Sequence, residues 1–463
     1  MSLFSKKPRF LLVNPWIYDF AAYDLWSQPL GLLLIAARLR EAGAEVSFID
    51  CLDCAHPGMK GLAPRDGRRF EEARRRPFGQ GKFASEIIEN PKAISGIPRY
   101  YRRYGITPEL FRDDLARVGE PDVVLVTSGM TYWYPGVTAT IGMVKDAYPR
   151  VPVVLGGIYA TLLPGHAEKF SGADRVISGK AEGKLFKLLG EILGQEWESG
   201  SGREEIWWSH PALDLKRKIE SIPILSSRGC PGHCSYCASG ILFPDYFRRE
   251  VSEVISEIRD TSRRFGIQDI VFFDDSLLSA GGDYLIELLQ GVSGLTPGLR
   301  FHSPNGINIR GINATLAQWM KKAGFKTLRL SLESGDPVFQ EKTGSKVNNQ
   351  EFERAVKDLQ NAGFRQEEIG VYILAGLPGQ EAGEVFESIS YVKEAGARPI
   401  IAEYSPIPGT QLWPEALKVS VFDISGEPLF HNNTLLPCRW DRFTYDDLAR
   451  LKLETKRVED LDG

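Results

Sequence analysis

Apolar and polar positions along this chain fall into two successive series of short continuous apolar runs separated by helical stretches. Residues 9–14 (RFLLVN) form a nearly unbroken apolar run that stops at Asn14 and Pro15, as in a strand buried on both faces of a parallel sheet. Pro29 to Gly43 (PLGLLLIAARLREAG) has proline at its start and glycine at its end, which predicts a buried helix. Strands are predicted at 45–50, 122–128, 151–157 and 173–179, and a helix at 181–193 (AEGKLFKLLGEIL) closes the series. The alternation implies a Rossmann-like, doubly wound α/β sheet with ligands at the carboxyl ends of its strands. The second series has strands predicted at 224–229, 269–275, 300–309, 327–334, 368–376 and 398–406, with helices between them. Six βα units, not eight, imply a partial (β/α)6 TIM-type barrel.

The expected domains are therefore 1–195, a linker at 196–221, the barrel at 222–415, and a short C-terminal extension at 416–463. The linker holds Gly-Ser-Gly, several charges, and Trp207 beside Trp208. An insertion at 55–118 interrupts the first sheet and is expected to be helical or a lid. It carries Arg74, Arg75 and Arg76 in a row and YYRRYG at 100–105. Those arginines are read as a solvated face or as an anion site, because guanidinium and aromatic groups stack on bases and contact phosphate.

Length changes the picture little: 463 residues suit two or three domains. A net charge of -4 argues against a general nucleic-acid binder, and no nucleic-acid groove is legible. No apolar run is long enough to span a bilayer. The basic N-terminus leads into a strand and not a signal peptide, so a cytoplasmic location is expected.

The chemistry lies in the cysteines. Of Cys51, Cys54, Cys230, Cys234, Cys237 and Cys438, three fall within eight residues, as C-x3-C-x2-C. No disulfide framework explains that cluster, and cytosolic clusters of this kind bind metal or act in catalysis. Thiolates are the ligands of iron–sulfur clusters. Zinc loops pair two-cysteine units across a longer stretch. Three ligands leave one iron of a four-iron cube open to substrate or cofactor. Cys51 and Cys54 form C-x2-C, far from Cys438, and read as buried inert thiols against a second metal site.

With Tyr236 in its aromatic slot, Cys230-Pro-Gly-His-Cys234-Ser-Tyr-Cys237 after a first barrel strand resembles the radical S-adenosylmethionine superfamily. VFFDDS, SLESG at 331–335, AGLPG at 375–379 and SPIPGT at 405–410 stand where that resemblance puts strand ends. It implies a [4Fe–4S] cluster on the three cysteines, with S-adenosylmethionine chelated to the open iron. It further implies reductive cleavage to a 5′-deoxyadenosyl radical that takes a hydrogen atom from substrate, and an electron donor such as flavodoxin or ferredoxin. By the same resemblance Asp274 and Asp275 meet the ammonium group, Glu333 the ribose hydroxyls with Ser331 beside it, and backbone at Leu377 and Pro378 the adenine. Helix capping is the alternative for Asp275 and Glu333. His302, Asn305 and Asn308 are expected near the third strand's end, as site or turn residues.

The first domain resembles the cobalamin-binding domain that precedes the barrel in one class of that superfamily. The stretches that carry this are NPW…PLGLLLIAARLREAG, SGMTYWYPG at 128–136, and LGGIYATLLP at 155–164. The resemblance implies cobalamin contacts at Thr127, Met130, Thr131, Gly156, Gly157, Tyr159, Ala160 and Thr161. The first strand is not followed by Asp-x-His-x-x-Gly, so no histidine would ligate cobalt from below. Tyr159 stands where many relatives carry histidine, and Lys180 where many carry glutamate.

Three functions are weighed. The first is cobalamin-dependent radical methylation of an unreactive carbon on a small-molecule or unknown substrate. The second is a radical enzyme for cyclisation, rearrangement or carbon–carbon bond formation, with a structural first domain. The third is a non-enzymatic iron–sulfur redox protein, which would need no adenosyl pocket.

Overall fold

The computed structural model describes residues 7–60, 70–181, 183–194, 210–279, 281–294, 298–344 and 346–457. Trp207 and Trp208, with most of the predicted linker, lie outside the described residues. The chain divides into two compact units, Met1–Glu220 and Ser221–Gly463.

In the first unit five parallel strands lie in the order Arg175–Val176, Val153–Leu155, Val123–Val126, Arg9–Asn14, Glu45–Asp50. Leu11, Val13, Val124, Val126 and Leu155 fill one core layer, and Phe10, Leu12, Val123, Leu125 and Val154 the other. Burial on both faces explains the unbroken apolar runs. The predicted helix is Leu30–Glu41, with Arg38 and Arg40 in its last turn, where cations favour the helix dipole.

The insertion, expected to be helical or a lid, begins as β-structure and ends in the helix Pro108–Val118. Strands Ile17–Asp19, Tyr101–Tyr104, Ser85–Ile88 and Phe70–Glu71 make an antiparallel sheet, and Arg74–Arg75 pairs with Gly81–Lys82 in a hairpin. Three of its cations are paired within the unit: Arg102 with Glu71, Arg103 with Glu86, and Arg75 with Asp24 and Glu220; Arg74 and Arg76 are exposed. Arg75 thus belongs to neither a solvated face nor a free anion site.

Residues 210–220 do not behave as a loose tether. Ala212 N–H donates to Leu33 O, Arg40 pairs with Asp214, and Arg217 pairs with Asp53 and Asp114.

The second unit carries six parallel strands in sequence order: Ile222–Ile224, Asp269–Phe272, Arg300–His302, Phe325–Glu333, Ile369–Ala375 and Arg398–Glu403. Amphipathic helices such as Val251–Phe265, stopped by left-handed Gly266, connect them. The C-terminal extension packs on the barrel. Ala416, Ile424 and Cys438 share a core with Leu374, Leu377 and Tyr404 of the last two barrel strands and the loops after them, and Lys393 pairs with Glu454.

Candidate active site

The cysteine loop follows the short strand Ser227–Arg228. It opens at Gly229, φ 77°, where a Cβ would meet the Asp245 and Phe243 carbonyl oxygens at 2.5 and 3.1 Å, so only glycine fits. Cys237 N–H donates to Cys234 O at 3.0 Å, Ser235 N–H to Thr343 O at 3.3 Å, and Leu412 N–H to Ser235 O at 2.9 Å. The loop is therefore anchored at its middle by two other segments of the unit. All three thiols are free, with Cys237 exposed and Cys230 and Cys234 half-buried. Gly232 N–H donates to Cys230 Sγ and Ser239 N–H to Cys237 Sγ, each at 3.4 Å. Burial pushes the Cys234 thiol up, while Lys346 pulls it down.

Among the described residues no three His, Cys, Asp or Glu side chains already stand in metal-ligating geometry. That is ordinary for a site completed by its metal. The donor set fits a [4Fe–4S] cube: three unbridged thiols on one braced loop, with backbone N–H groups aimed at two sulfurs.

The two aspartates after the second barrel strand have different jobs. Asp274 is 1% exposed and accepts hydrogen bonds from N–H and Oγ of both Ser226 and Ser227, at 2.5–3.2 Å. Those bonds occupy it, so it stitches the first two strand ends together and does not face an ammonium group. Asp275 is half-buried. Its oxygens accept from Gly229 N–H at 3.1 Å and Ser239 Oγ at 3.3 Å, one residue before the first cysteine and two after the last.

Glu333 ends the fourth strand at φ 71°, after a register shift between Ser331 and Glu333. A non-glycine residue held there is strained, and such strain gathers at functional sites. Its carboxylate lies 3.6 Å from Lys346 Nζ, and the Tyr236 hydroxyl lies near both it and Cys234. Burial raises the Glu333 pKa, opposed by Lys346. Burial, followed by the Glu333 charge, raises that of Tyr236. Glu333, Tyr236 and the cysteine loop thus stand together, with Lys346 and Ser239 as members that no spacing singled out.

Other predicted contacts are internal. Ser331 is buried, and its Oγ fills the space where a Cβ on Gly306 would stand. Leu377 N–H donates to Gln380 Oε1 at 3.2 Å and Leu377 O accepts from Gln380 N–H at 3.1 Å, so its backbone is engaged in the turn. Pro378 is half-buried beside it. His302 is buried between Thr327 Oγ1 at 3.0 Å and Asp269 Oδ1 at 3.1 Å. Asn305 Nδ2 donates to Asp274 O at 2.9 Å, and Asn308 caps a turn. They brace loops.

In the first unit Ser128 Oγ donates to Gly156 O at 2.6 Å, and Ile158 N–H to Ser128 O at 2.8 Å, joining the ends of two adjacent strands. Gly157, φ 97°, lies so close to Ser128 that a Cβ would collide with its backbone. Tyr159 and Ala160 are 0% exposed and Thr131 is buried, so these three face the core; Tyr159 Oη lies 2.6 Å from His166 Nδ1. Thr127 and Thr161 are half-buried, and Thr161 Oγ1 donates to Gly157 O at 2.8 Å. Met130, 43% exposed, and Ile158, 36% exposed, border Gly156, whose Cβ direction is open for 4 Å. Exposed apolar side chains beside bare backbone at strand ends fit a large flat cofactor such as cobalamin. After the first strand stands Trp16, buried and donating to Ile106 O at 2.7 Å, so that loop supplies no axial histidine.

Cys51 and Cys438 are buried and Cys54 half-buried. Burial pushes Cys54 and Cys438 up to about 12 and Cys51 well above its usual value, so all three are inert thiols.

Comparison with known proteins agrees with this arrangement. Residues 224–392 match the Radical SAM superfamily, and residues 101–189 match the B12 binding domain. An uncharacterised methyltransferase of Pyrococcus horikoshii is 26% identical over 81% of this chain and 83% of its own length. Cytidylyl-2-hydroxyethylphosphonate methyltransferase of Streptomyces wedmorensis is 22% identical over 89% of this chain and 82% of its own. The radical S-adenosylmethionine methyltransferase TsrM of Kitasatospora setae, solved with tryptophan and an S-adenosylmethionine analogue, shares the fold. Its TM-score is 0.62 at 16% identity, over 89% of this chain and 76% of that one. Among the described residues no helix is long and apolar enough to cross a membrane. Three free cysteines on a braced loop, a strained carboxylate at the fourth strand end, and a B12-type sheet ahead of the barrel converge on one conclusion: this chain combines a Radical SAM superfamily domain with a B12 binding domain.

Proposed function

We propose that this enzyme transfers a methyl group to an unreactive carbon of a small-molecule substrate, using a [4Fe–4S] cluster, S-adenosylmethionine and cobalamin. The observation that carries the reading is the pairing of the two matched domains in one chain, in relatives named as methyltransferases along most of their length. When bound, the cluster supplies the electron that cleaves S-adenosylmethionine, and cobalamin carries the methyl group.

The chain's own residues bind and orient. Cys230, Cys234 and Cys237 would ligate three irons, and Asp275 braces both ends of their loop. Glu333, held in place by Lys346 and Tyr236, would accept hydrogen bonds from the ribose hydroxyls. Asp275, not Asp274, is the aspartate with room to meet the ammonium group. Met130, Ile158 and Gly156 would lie against the corrin. An external one-electron donor of the flavodoxin or ferredoxin kind would serve the cluster.

The test is anaerobic incubation with S-adenosylmethionine, hydroxocobalamin and a strong reductant, followed by nucleoside analysis. Methyl transfer gives S-adenosylhomocysteine together with 5′-deoxyadenosine. Deoxyadenosine without any S-adenosylhomocysteine would assign the enzyme to non-methylating radical chemistry.

A further inference from the structure

Across the last three barrel strands one row of residues carries two arginines and no carboxylate. Arg329 stands opposite Gly370, and Gly370 opposite Arg398, in parallel register. Residues opposite one another in a sheet share a face. The other face holds Val371 and Ile373, both fully buried; on this one Gly370, Ser331 and Leu374 are buried, Arg329, Tyr372 and Ile400 half-buried and Arg398 exposed. The row reaches solvent at Arg398.

Gly370 puts no side chain between the two cations. A Cβ there would lie 2.8 Å from both Arg329 Nη1 and Ile400 Cδ1, so the Arg329 guanidinium rests over the glycine. At about 4.8 Å between strands, the arginine Cα atoms are roughly 10 Å apart. Two long side chains can close that gap around one anionic group.

Neither arginine forms a salt bridge among the described residues. Arg329 Nη1 donates to Leu328 O at 2.8 Å, and its guanidinium lies near the Tyr372 hydroxyl, which donates to Pro304 O at 2.8 Å. No nitrogen of Arg329 is both buried and unpartnered, so its unpaired N–H donors keep some exposure. Burial and the neighbouring Arg398 charge pull its pKa below the usual arginine value. Two like charges, one of them partly desolvated, are costly unless something compensates them.

We propose that Arg329 and Arg398 form a subsite for a phosphate- or phosphonate-type dianion on the substrate. The word substrate rests on the methyl-transfer reading above; the anion site does not. Tyr372 connects the two regions, for its hydroxyl feels both the Arg329 and the Glu333 charge. Four residues of strand separate Arg329 from Glu333, about 13 Å. A substrate held by its dianion at the row would have to be extended to present carbon near the strand ends.

The experiment is calorimetric titration of the full chain, without cofactors, with inorganic phosphate and in a parallel arm with acetate. Wild type should bind phosphate saturably and acetate at least tenfold more weakly. Arg398→Gln, an exposed change that spares the core, and Arg329→Gln should each weaken phosphate at least tenfold with unchanged circular dichroism. Gly370→Ala should also weaken it, by displacing Arg329. Absent phosphate binding, equal binding of acetate, or variants that bind like wild type would each overturn the proposal. Because no cofactor is needed, such a failure leaves the methyl-transfer reading untouched.

Discussion

The Asp275 carboxylate accepts the Ser239 hydroxyl at 3.3 Å, and Ser239 in turn donates its backbone N–H to Cys237 Sγ at 3.4 Å. The other Asp275 oxygen accepts Gly229 N–H at 3.1 Å. One carboxylate therefore fixes both ends of the segment that holds three thiols. Removing it leaves two donors unpaired, at about 1–3 kcal/mol each. Asp275→Ala should lower the iron retained after anaerobic purification by about tenfold, while Asp275→Asn, which keeps an acceptor, should retain most of it. Iron equal to wild type in Asp275→Ala would show that the loop holds its shape unaided.

Each of Cys230, Cys234 and Cys237 changed to Ala should abolish the brown chromophore, whereas Cys438→Ala should keep all the iron, since its thiol is buried and pushed up to about 12. Iron assay per chain decides this. Full iron in Cys234→Ala would remove the cluster from this loop.

Gly156 and Gly157 are adjacent but should respond differently. Gly157→Ala forces a Cβ into Ser128 at φ 97°. It should destabilise the first unit by on the order of 2 kcal/mol, a shift of a few degrees in Tm. Gly156→Leu meets open space, so Tm should hold while cobalamin retention falls. A Gly156 variant that retains cobalamin fully would place the cofactor elsewhere.

Asp269 tests the base of the barrel. Hydrogen bonds and charge from Arg300 and His302 hold its pKa down at about 2, against the opposing pull of burial. A carboxyl depressed in the folded state contributes stability above its unfolded pKa of about 3.9 and loses it as pH falls through about 2. With solvent screening the effect is on the order of 1 kcal/mol. Asp269→Asn should therefore lower the urea midpoint at neutral pH, and the gap should close between about pH 4 and 2. A gap that stays constant across that window would mean the carboxylate charge is irrelevant.

Both sheets were legible in the sequence because strands buried on both faces leave continuous apolar runs, as at Phe10 to Val13 and Ile369 to Ala375. The cysteine loop was legible from spacing alone. The insertion was misread because its two-residue strands, such as Phe70–Glu71, are too short to carry a period. Spacing also could not tell Asp274 from Asp275. They are neighbours with opposite burial, and only the positions of Ser226, Ser227 and Ser239 decide which carboxylate is already occupied. Lys346 and Arg398 act through partners far away in sequence, which a single chain read residue by residue does not reveal.

Cobalt content tests the central claim most directly. The chain is expressed or reconstituted anaerobically with excess hydroxocobalamin and passed through gel filtration, and bound cobalt is measured per chain. The account predicts about one cobalt alongside about four irons, with no histidine on cobalt. No retained cobalt, with 5′-deoxyadenosine release from S-adenosylmethionine intact, would contradict cobalamin-dependent methyl transfer and leave a radical enzyme whose first domain is structural.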